Sequence, residues 1–545
     1  MRHVALPGTP VLARCSARVS GDGAAAAVLR WHLEALGAEV GPGNPCPREW
    51  AAAAEISTSL GRRSVVVEWG GPVPGVVDET SAQALCGPMH VHGRRGGTPR
   101  GLGVEYCTTA AAVLGITGAL ASLLDGRSDG EVRTSVAEAA LLAVSQYLAA
   151  AGADDPEAVS PDPGGGPFTS ADGVVFEVES LRPEPWGQFW SRLGADRAAV
   201  SRSWRPFQFR YATATMPLDP SLHRTTERFP FAAVRAAAAE SGVDIAEVCA
   251  GGSGAIGHHW SLPWSVIPRG TGVRTGRAGS TNAPLRDLVV VEAGRRVQAP
   301  LAAHVLDLLG ARTTRIEPPG GDPMRGMPPT CDELSARWLA LNRGKSAAEL
   351  DIKSPRDRAE VLRLAECADV FVHNWAPGKA ESLGLGAQDL PQHLVYAHMS
   401  ALGGYEVPDP PLGTDFMVQA RSGLAEQVVP GGAAPSPSLM TLLDVLGGLL
   451  GAESIVAGLL LGGAEVDSGL FGAAAALRVP LLAAGTERRP PGFREPERTP
   501  HGWSTRTGLA VTDDLRALLD DPRFASVLGR DEHRCPAVLA PWRFS

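Results

Sequence analysis

The alternation of apolar and polar positions is most regular in the middle of the chain. LVVVEA (288–293) has the character of a short buried strand, PLAAHVLDLLG (300–310) repeats its apolar residues at helical spacing, and TTRIEPP (313–319) is a strand stopped by prolines. SPRDRAEVLRLAECA (354–368) is helical again, while DVFVHNW (369–375) and HLVYAHMS (393–400) read as strands. Strands alternating with helices predict a parallel, Rossmann-like α/β sheet, with ligands beyond the carboxyl ends of the strands. EPPGGDP and NWAPG fall at those ends.

Two further segments, Leu102–Leu124 and Leu439–Leu461, are almost wholly apolar and nearly long enough to span a bilayer. Each carries acid, Glu105 in the first and Asp444 with Glu453 in the second, which is costly in lipid. Both are therefore expected to be core helices.

The pattern also repeats. WHLEALGAEV (31–40) resembles HVLDLLGARTTRIE (304–317), and QALCGPM (83–89) resembles QARSGLAE (419–426). VEYCTTAAAVLGITGALASLL (104–124) parallels LDVLGGLLGAESIVAGLLL (443–461), and VRTSVAEAA (132–140) parallels VDSGLFGAAAA (466–476). Four echoes in one order predict a duplication. The copies are unequal: the first has almost nothing between residues 40 and 80, where the second is rich from Ile316 to Gln419. The first continues instead through a Gly-rich turn and two helical segments, a small α+β domain at about 160–260. The expected organisation is a first copy over 1–268, a Gly, Ser, Thr and Arg-rich linker over 269–284, and a second copy with its tail over 285–545.

Length and composition narrow the class. A chain of 545 residues with 44% hydrophobic and 20% charged residues is expected to fold as at least two globular lobes. Its net charge of −9 gives no general attraction to nucleic acid or anionic membranes, and neither is an expected partner. Eight cysteines without a C-x-x-C pair, and an N-terminus without a sustained apolar run, fit a cytoplasmic protein.

Among candidate chemical groups, Asp444 stands out. TLLDVLGG sets one carboxylate among leucines in the first turn of an apolar helix, where the helix dipole favours its ionised form and burial opposes it. A partly dehydrated carboxylate is a nucleophile toward activated acyl groups, although the same position suits a plain helix-capping acid. GGDPMRG (320–326), with Arg325, and NWAPG (374–378) offer backbone amides after strands, either as phosphate cradles or as ordinary turns. Arg343, Lys345 and Lys353 lie close together in LALNRGKSAAELDIK (339–353), suited to phosphates or to a solvated surface. Gly164, Gly165 and Gly166 could form a mobile clamp or a linker. His90 with His92, and His258 with His259, lack further ligands at metal spacing and read as loop residues, so no metal is expected.

VQAPLAAHVLDLLGA, RIEPPGGDPMRG, LNRGKSAAELDIKSP, ADVFVHNWAPG, ESLGLG, GTDFMVQARSGL and LLDVLGG, in that order from Leu288 to about Ala476, resemble the family III CoA-transferases. The resemblance implies a fused pseudo-dimer with one working site, possible further homodimerisation being open, and acyl-CoA and a carboxylic acid as substrates. It places Asp444 at the family's nucleophile and Gln298 beside the reacting thioester. Lys353, Asn374 and Trp375 are implied as CoA contacts, with Arg325, Arg343 and Lys345 as further cations. Gly164–Gly166 resemble the family's glycine loop. Thr414 stands where racemase relatives have an acid/base histidine, which disfavours α-proton exchange; a racemase, a transferase-lyase and a non-catalytic acyl-CoA binder are the alternatives. Pro318 and Ser382 replace arginines that often hold CoA. Glu105 is expected at the aspartate position of an inactive first copy.

Overall fold

The computed structural model describes residues 10–126, 129–158, 162–249, 262–270, 282–486, 489–490 and 492–545. Of the sequence readings, His258, His259 and most of the 269–284 linker lie outside these residues.

The second half is built on a seven-stranded sheet in the order Ser346–Glu349, Arg312–Glu317, Val289–Ala293, Val370–His373, Val395–Ser400, Ala464–Gly469, Trp264–Pro268. All neighbours are parallel except the last pair. The central strands are apolar on both sides because both faces are covered. Helices Gln298–Leu308 and Leu442–Leu460 pack together on one face, and helix Pro355–Glu366 contributes Val361 and Ala365 to an apolar layer with Phe371 and Tyr396 on the other.

The first half differs from its sequence reading. Its six-stranded sheet runs Glu39–Pro42, Ser16–Ser20, Trp50–Thr58, Gly61–Glu68, Asp129–Ser135, Arg543–Phe544, and it is mixed rather than parallel. The stretch between residues 40 and 80 that reads as nearly empty holds an antiparallel hairpin, Trp50–Glu68. Its alanine run hides the strand signal: Ala52 and Ala54 face the core and Glu55 faces solvent, an alternation with little hydrophobic contrast.

Each half completes the sheet of the other. Trp264–Pro268, which follows the small domain of the first half, pairs antiparallel with Ala464–Gly469 of the second. Arg543–Phe544, at the end of the second half, pairs antiparallel with Asp129–Ser135 of the first. The boundary at 268 therefore separates segments by sequence while the strands cross it in space.

The two long apolar helices, Tyr106–Leu123 and Leu442–Leu460, pass the length and hydropathy test for a membrane span, yet 100% and 94% of their residues are buried. They pack on each other at the centre of the molecule, where the Tyr106 hydroxyl donates to the Leu442 carbonyl at 3.2 Å. The small domain carries a three-stranded antiparallel sheet, Phe168–Thr169, Val175–Glu179 and Asp244–Glu247, with four helices between Pro183 and Ser241. It rests against helix Asp415–Ser422 of the second half. His90 and His92, read as loop residues, lie on the short helix Pro88–Gly93, which Pro88 starts after the left-handed Gly87.

Candidate functional site

Helix Leu442–Leu460 starts after Thr441, whose backbone is left-handed (φ +48°), and no side chain at the cap position serves its first amides. Asp415 serves them from another helix: its Oδ2 accepts the N–H groups of Leu443 (2.7 Å) and Asp444 (2.8 Å). Its other oxygen accepts from the Gln419 side-chain amide, which also donates to the Ser438 carbonyl and accepts from the Ser438 N–H. Asp415 is 2% exposed, so the helix start is fixed by a buried, fully used carboxylate.

Asp444, on the first turn, is the half-buried member of an otherwise buried helix and faces a cleft. The second half lines the cleft with Arg296, Thr414, Phe416 and Asp444; the small domain supplies Glu179, Leu181, Arg210 and Tyr211. Within this wall Arg210 pairs with Glu179 at 2.9 Å, both buried, and the Thr414 hydroxyl donates to the same Glu179 oxygen at 2.8 Å. Desolvation, with the nearby charges of Asp415 and Glu179, raises the Asp444 carboxyl to about 8, while Arg296 acts to lower it. Burial likewise raises Asp415 to about 6 against the hydrogen bonds it accepts.

Gln298 heads its helix one turn along from Asp444. The helix Leu442–Leu460 has no side chain where Gln298 lies: a Cβ on Gly447 would come within 2.9 Å of the Gln298 side-chain nitrogen, and one on Gly448 within 2.9 Å of the Gln298 backbone carbonyl oxygen. The Gln298 amide donates to the carbonyls of Ser468 (3.2 Å) and Ser400 (3.4 Å), at the ends of two strands.

A similar cap recurs in the first half. Glu79 accepts from the N–H groups of Cys107 (3.0 Å) and Thr108 (2.7 Å), and Gln83 donates to Glu79 as Gln419 does to Asp415. By this register Thr108, not Glu105, occupies the place of Asp444, and the Glu105 expectation is corrected. Glu105 precedes the first turn, and its carboxylate is taken by Arg494 and Arg489, each at 2.8 Å. Arg494 also donates to the carbonyls of Leu102 and Val104, so the C-terminal segment fills this place.

Two stretches of the chain, 74–253 and 285–508, match the model of CoA-transferase family III, together well over half of its length. The chain belongs to CoA-transferase family III. Among curated relatives of this family III chain, it is 33% identical to succinyl-CoA:glutarate CoA-transferase of Mus musculus over 206 residues, 36% of this chain and 47% of the relative. It is 31% identical to acetyl-CoA:oxalate CoA-transferase of Acetobacter aceti over 231 residues, 40% of this chain and 59% of the relative. The chain thus spans about half the length of the curated relatives it matches. A crystal structure of Rv3272 from Mycobacterium tuberculosis shares 31% identity with a TM-score of 0.34, covering 37% of this chain and 57% of that one.

The motif residues of this family III chain separate into two groups. Asp444 and Gln298 are brought together along one helix face. Lys353 is exposed in the turn before helix Pro355–Glu366. Asn374 ends a central strand, with its amide spanning the backbone of Arg295: the oxygen accepts from N–H at 2.9 Å and the nitrogen donates to the carbonyl at 2.8 Å. Trp375 lies against His373 with ring centroids 5.0 Å apart.

The remaining cations are engaged within the protein, contrary to their reading as phosphate groups. Lys345 is fully buried, its Nζ on Glu292 (2.8 Å), the Pro300 carbonyl (2.7 Å) and Asn342 (3.2 Å), with no face left for a ligand. Arg343 is tied to the tail through the Pro536 carbonyl (2.8 Å) and Asp531 (3.3 Å). Arg325 makes two bonds to Glu317, at 2.8 and 3.0 Å, and covers the Trp338 ring. Lys345 and Arg325, with the buried Arg315, neutralise Glu292, Glu317 and Asp322 below the strand ends. Gly164–Gly166 stand outside the cleft lining: the Gly164 carbonyl accepts from Met216 N–H, and Cβ atoms at Gly164 and Gly165 would strike Pro217 and Met216. Close packing accounts for glycine at 164 and 165, whereas a Cβ on Gly166 would meet open space. Ser382 ends the short helix Lys379–Ser382 at the surface, its hydroxyl donating to the Lys379 carbonyl. The cleft residues Glu179, Arg210, Tyr211 and Arg296 carry no sequence motif; only the topology brings them to Asp444.

Proposed function

We propose that the protein transfers CoA from an acyl-CoA to a carboxylic acid, with Asp444 as the nucleophile. The observation that carries this reading is a half-buried first-turn carboxylate facing a cleft built by both halves, in a family III chain. Two of the relatives are named for CoA transfer between succinyl-CoA and glutarate and between acetyl-CoA and oxalate, which supports the substrate class.

In this reading the ionised Asp444 attacks the thioester carbonyl, giving an acyl-aspartyl anhydride and CoA thiolate. The thiolate attacks the aspartyl carbonyl of the anhydride, releasing the first acid and leaving an aspartyl-CoA thioester. The acceptor carboxylate attacks that thioester, and the thiolate released then takes the new acyl group and frees Asp444. Activation is conserved at each step, so the tasks of the protein are to orient the partners and exclude water. Gln298, fixed against Gly447 and Gly448, lies along the helix face where the acyl carbon would be held. Lys353, with the Asn374–Trp375 turn at the strand ends, would receive CoA. The Thr414 hydroxyl donates a hydrogen bond to Glu179, an arrangement that does not serve as an acid/base pair for α-proton exchange.

The test is trapping. Incubation with acyl-CoA and then hydroxylamine should mark Asp444 alone by mass spectrometry, and Asp444→Asn should abolish both the mark and CoA transfer while melting as a folded protein. Transfer by the folded variant would refute the assignment.

A further inference from the structure

Arg296 stands apart from Arg210, the other arginine lining the cleft, and from the arginines of the motif stretches. Arg210, Arg315, Arg325 and Arg343 are each paired with a carboxylate. Arg296 is exposed, lines the cleft beside Asp444, and its guanidinium lies 5.5 Å from the centre of the Tyr211 ring. Among the described residues it has no ion pair. Its backbone is left-handed (φ +62°), an unfavourable conformation for a β-carbon residue, held between the end of strand Val289–Ala293 and the start of helix Gln298–Leu308. The side chain is thus presented from a constrained position on the rim of the cleft, with the ring of Tyr211 from the other half as its platform.

The charge beside this guanidinium changes during the reaction proposed above, on which this inference rests. In the resting protein Arg296 favours the ionised form of Asp444 without pairing with it. Once Asp444 is acylated its charge is gone, and Arg296 is left exposed without that anion. We infer that Arg296 then binds the carboxylate of the acceptor acid and aligns it on the Asp444 thioester carbonyl. The carboxylate oxygen forms the new bond to the aspartyl carbon, the carbon–sulfur bond breaks, and the electron pair leaves on CoA thiolate. In the opposite sense, the acid released from the donor departs across the same guanidinium. The ligand is recognised by a carboxylate alone, so the inference covers mono- and dicarboxylic acids alike.

The experiment compares Arg296→Gln and Arg296→Lys with the natural protein in steady-state transfer, all three first matched in thermal midpoint. For Arg296→Gln the KM of the acceptor acid should rise about tenfold or more, the scale of one charge-assisted hydrogen bond, with the KM of acyl-CoA nearly unchanged. Product inhibition by the released acid should weaken in parallel, and Arg296→Lys should recover part of both. Added salt should raise the acceptor KM of the natural protein and leave that of Arg296→Gln flat. A rise confined to the KM of acyl-CoA, equal rises for both substrates, a loss in kcat alone, or no change would each overturn the inference. If the natural protein forms no adduct on Asp444, the proposed function fails first; an adduct with an unmoved acceptor KM removes only the role of Arg296.

Discussion

The carboxylate of Asp415 accepts the backbone N–H of Asp444 at 2.8 Å, so one acid fixes the peptide that carries the other. Burial raises the proton affinity of Asp444 most, and the negative charge of Asp415 beside it adds to that rise. One residue thus fixes the position of Asp444 and contributes to its basicity.

Asp415→Asn therefore has two expected effects. Losing the neighbouring charge lowers the Asp444 pKa, and the acid limb of the transfer rate moves to lower pH. Losing the match to the Gln419 amide leaves buried donors facing each other, a cost of about 1–3 kcal/mol. A pH–rate profile and a denaturant titration read these separately; an unmoved acid limb would refute the electrostatic part.

The pH dependence of the natural protein follows from the same pair. Attack requires ionised Asp444, so transfer should increase through about pH 8. Stability should run the other way. Both carboxyls have folded-state pKa values above those of the unfolded chain, so the native state binds more protons between about pH 4 and 8 and loses stability as pH rises through that window. Unfolding midpoints across this window, flattened in Asp444→Asn, provide the check.

Gly447→Ala tests the approach of Gln298. The added methyl would sit 2.9 Å from the Gln298 nitrogen and push the amide off the Ser400 and Ser468 carbonyls. The expected loss is about 1–3 kcal/mol of stability, the usual result of overpacking, together with slower transfer. Thermal melts and kcat measure the two parts; unaltered turnover would remove Gln298 from the reacting region.

Arg494→Ala should leave turnover at Asp444 intact and destabilise the fold by up to about 3–5 kcal/mol, because Glu105 keeps only Arg489 as its partner. Adding Glu105→Gln should recover a good part of the loss, and a double-mutant cycle on unfolding free energy gives the coupling.

Sequence periodicity finds four of the seven strands of the second-half sheet, most plainly Val289–Ala293, Val370–His373 and Val395–Ser400, which are apolar runs; Ser346–Glu349, Ala464–Gly469 and Trp264–Pro268 are short or polar in part and carry no such signal. Asp444 is visible as the acid of an apolar helix, but only the motifs around it favour chemistry over capping. The cations of LNRGK mislead: a lysine looks alike on a surface and under a strand end, and only the placement of Glu292 beneath it makes Lys345 structural. Alignment of Glu105 with Asp444 fails by three positions because the hydrophobic pattern of a helix nearly repeats after one turn, so that pattern cannot fix its register; the amide bonds to Glu79 and Asp415 can. Glu179, Arg210 and Tyr211 are unreadable, since they reach the cleft from a domain more than two hundred residues away in sequence.

The exchanged end strands give the molecule an unusual relation to concentration. Two separate subunits sharing edge strands in this way would lose them on dilution, and their folding would be bimolecular. Here both exchanges are closed within one covalent chain, so the halves meet at a fixed effective concentration and the composite cleft should survive at any dilution. One half is thereby free to differ from the other without having to avoid pairing with a copy of itself.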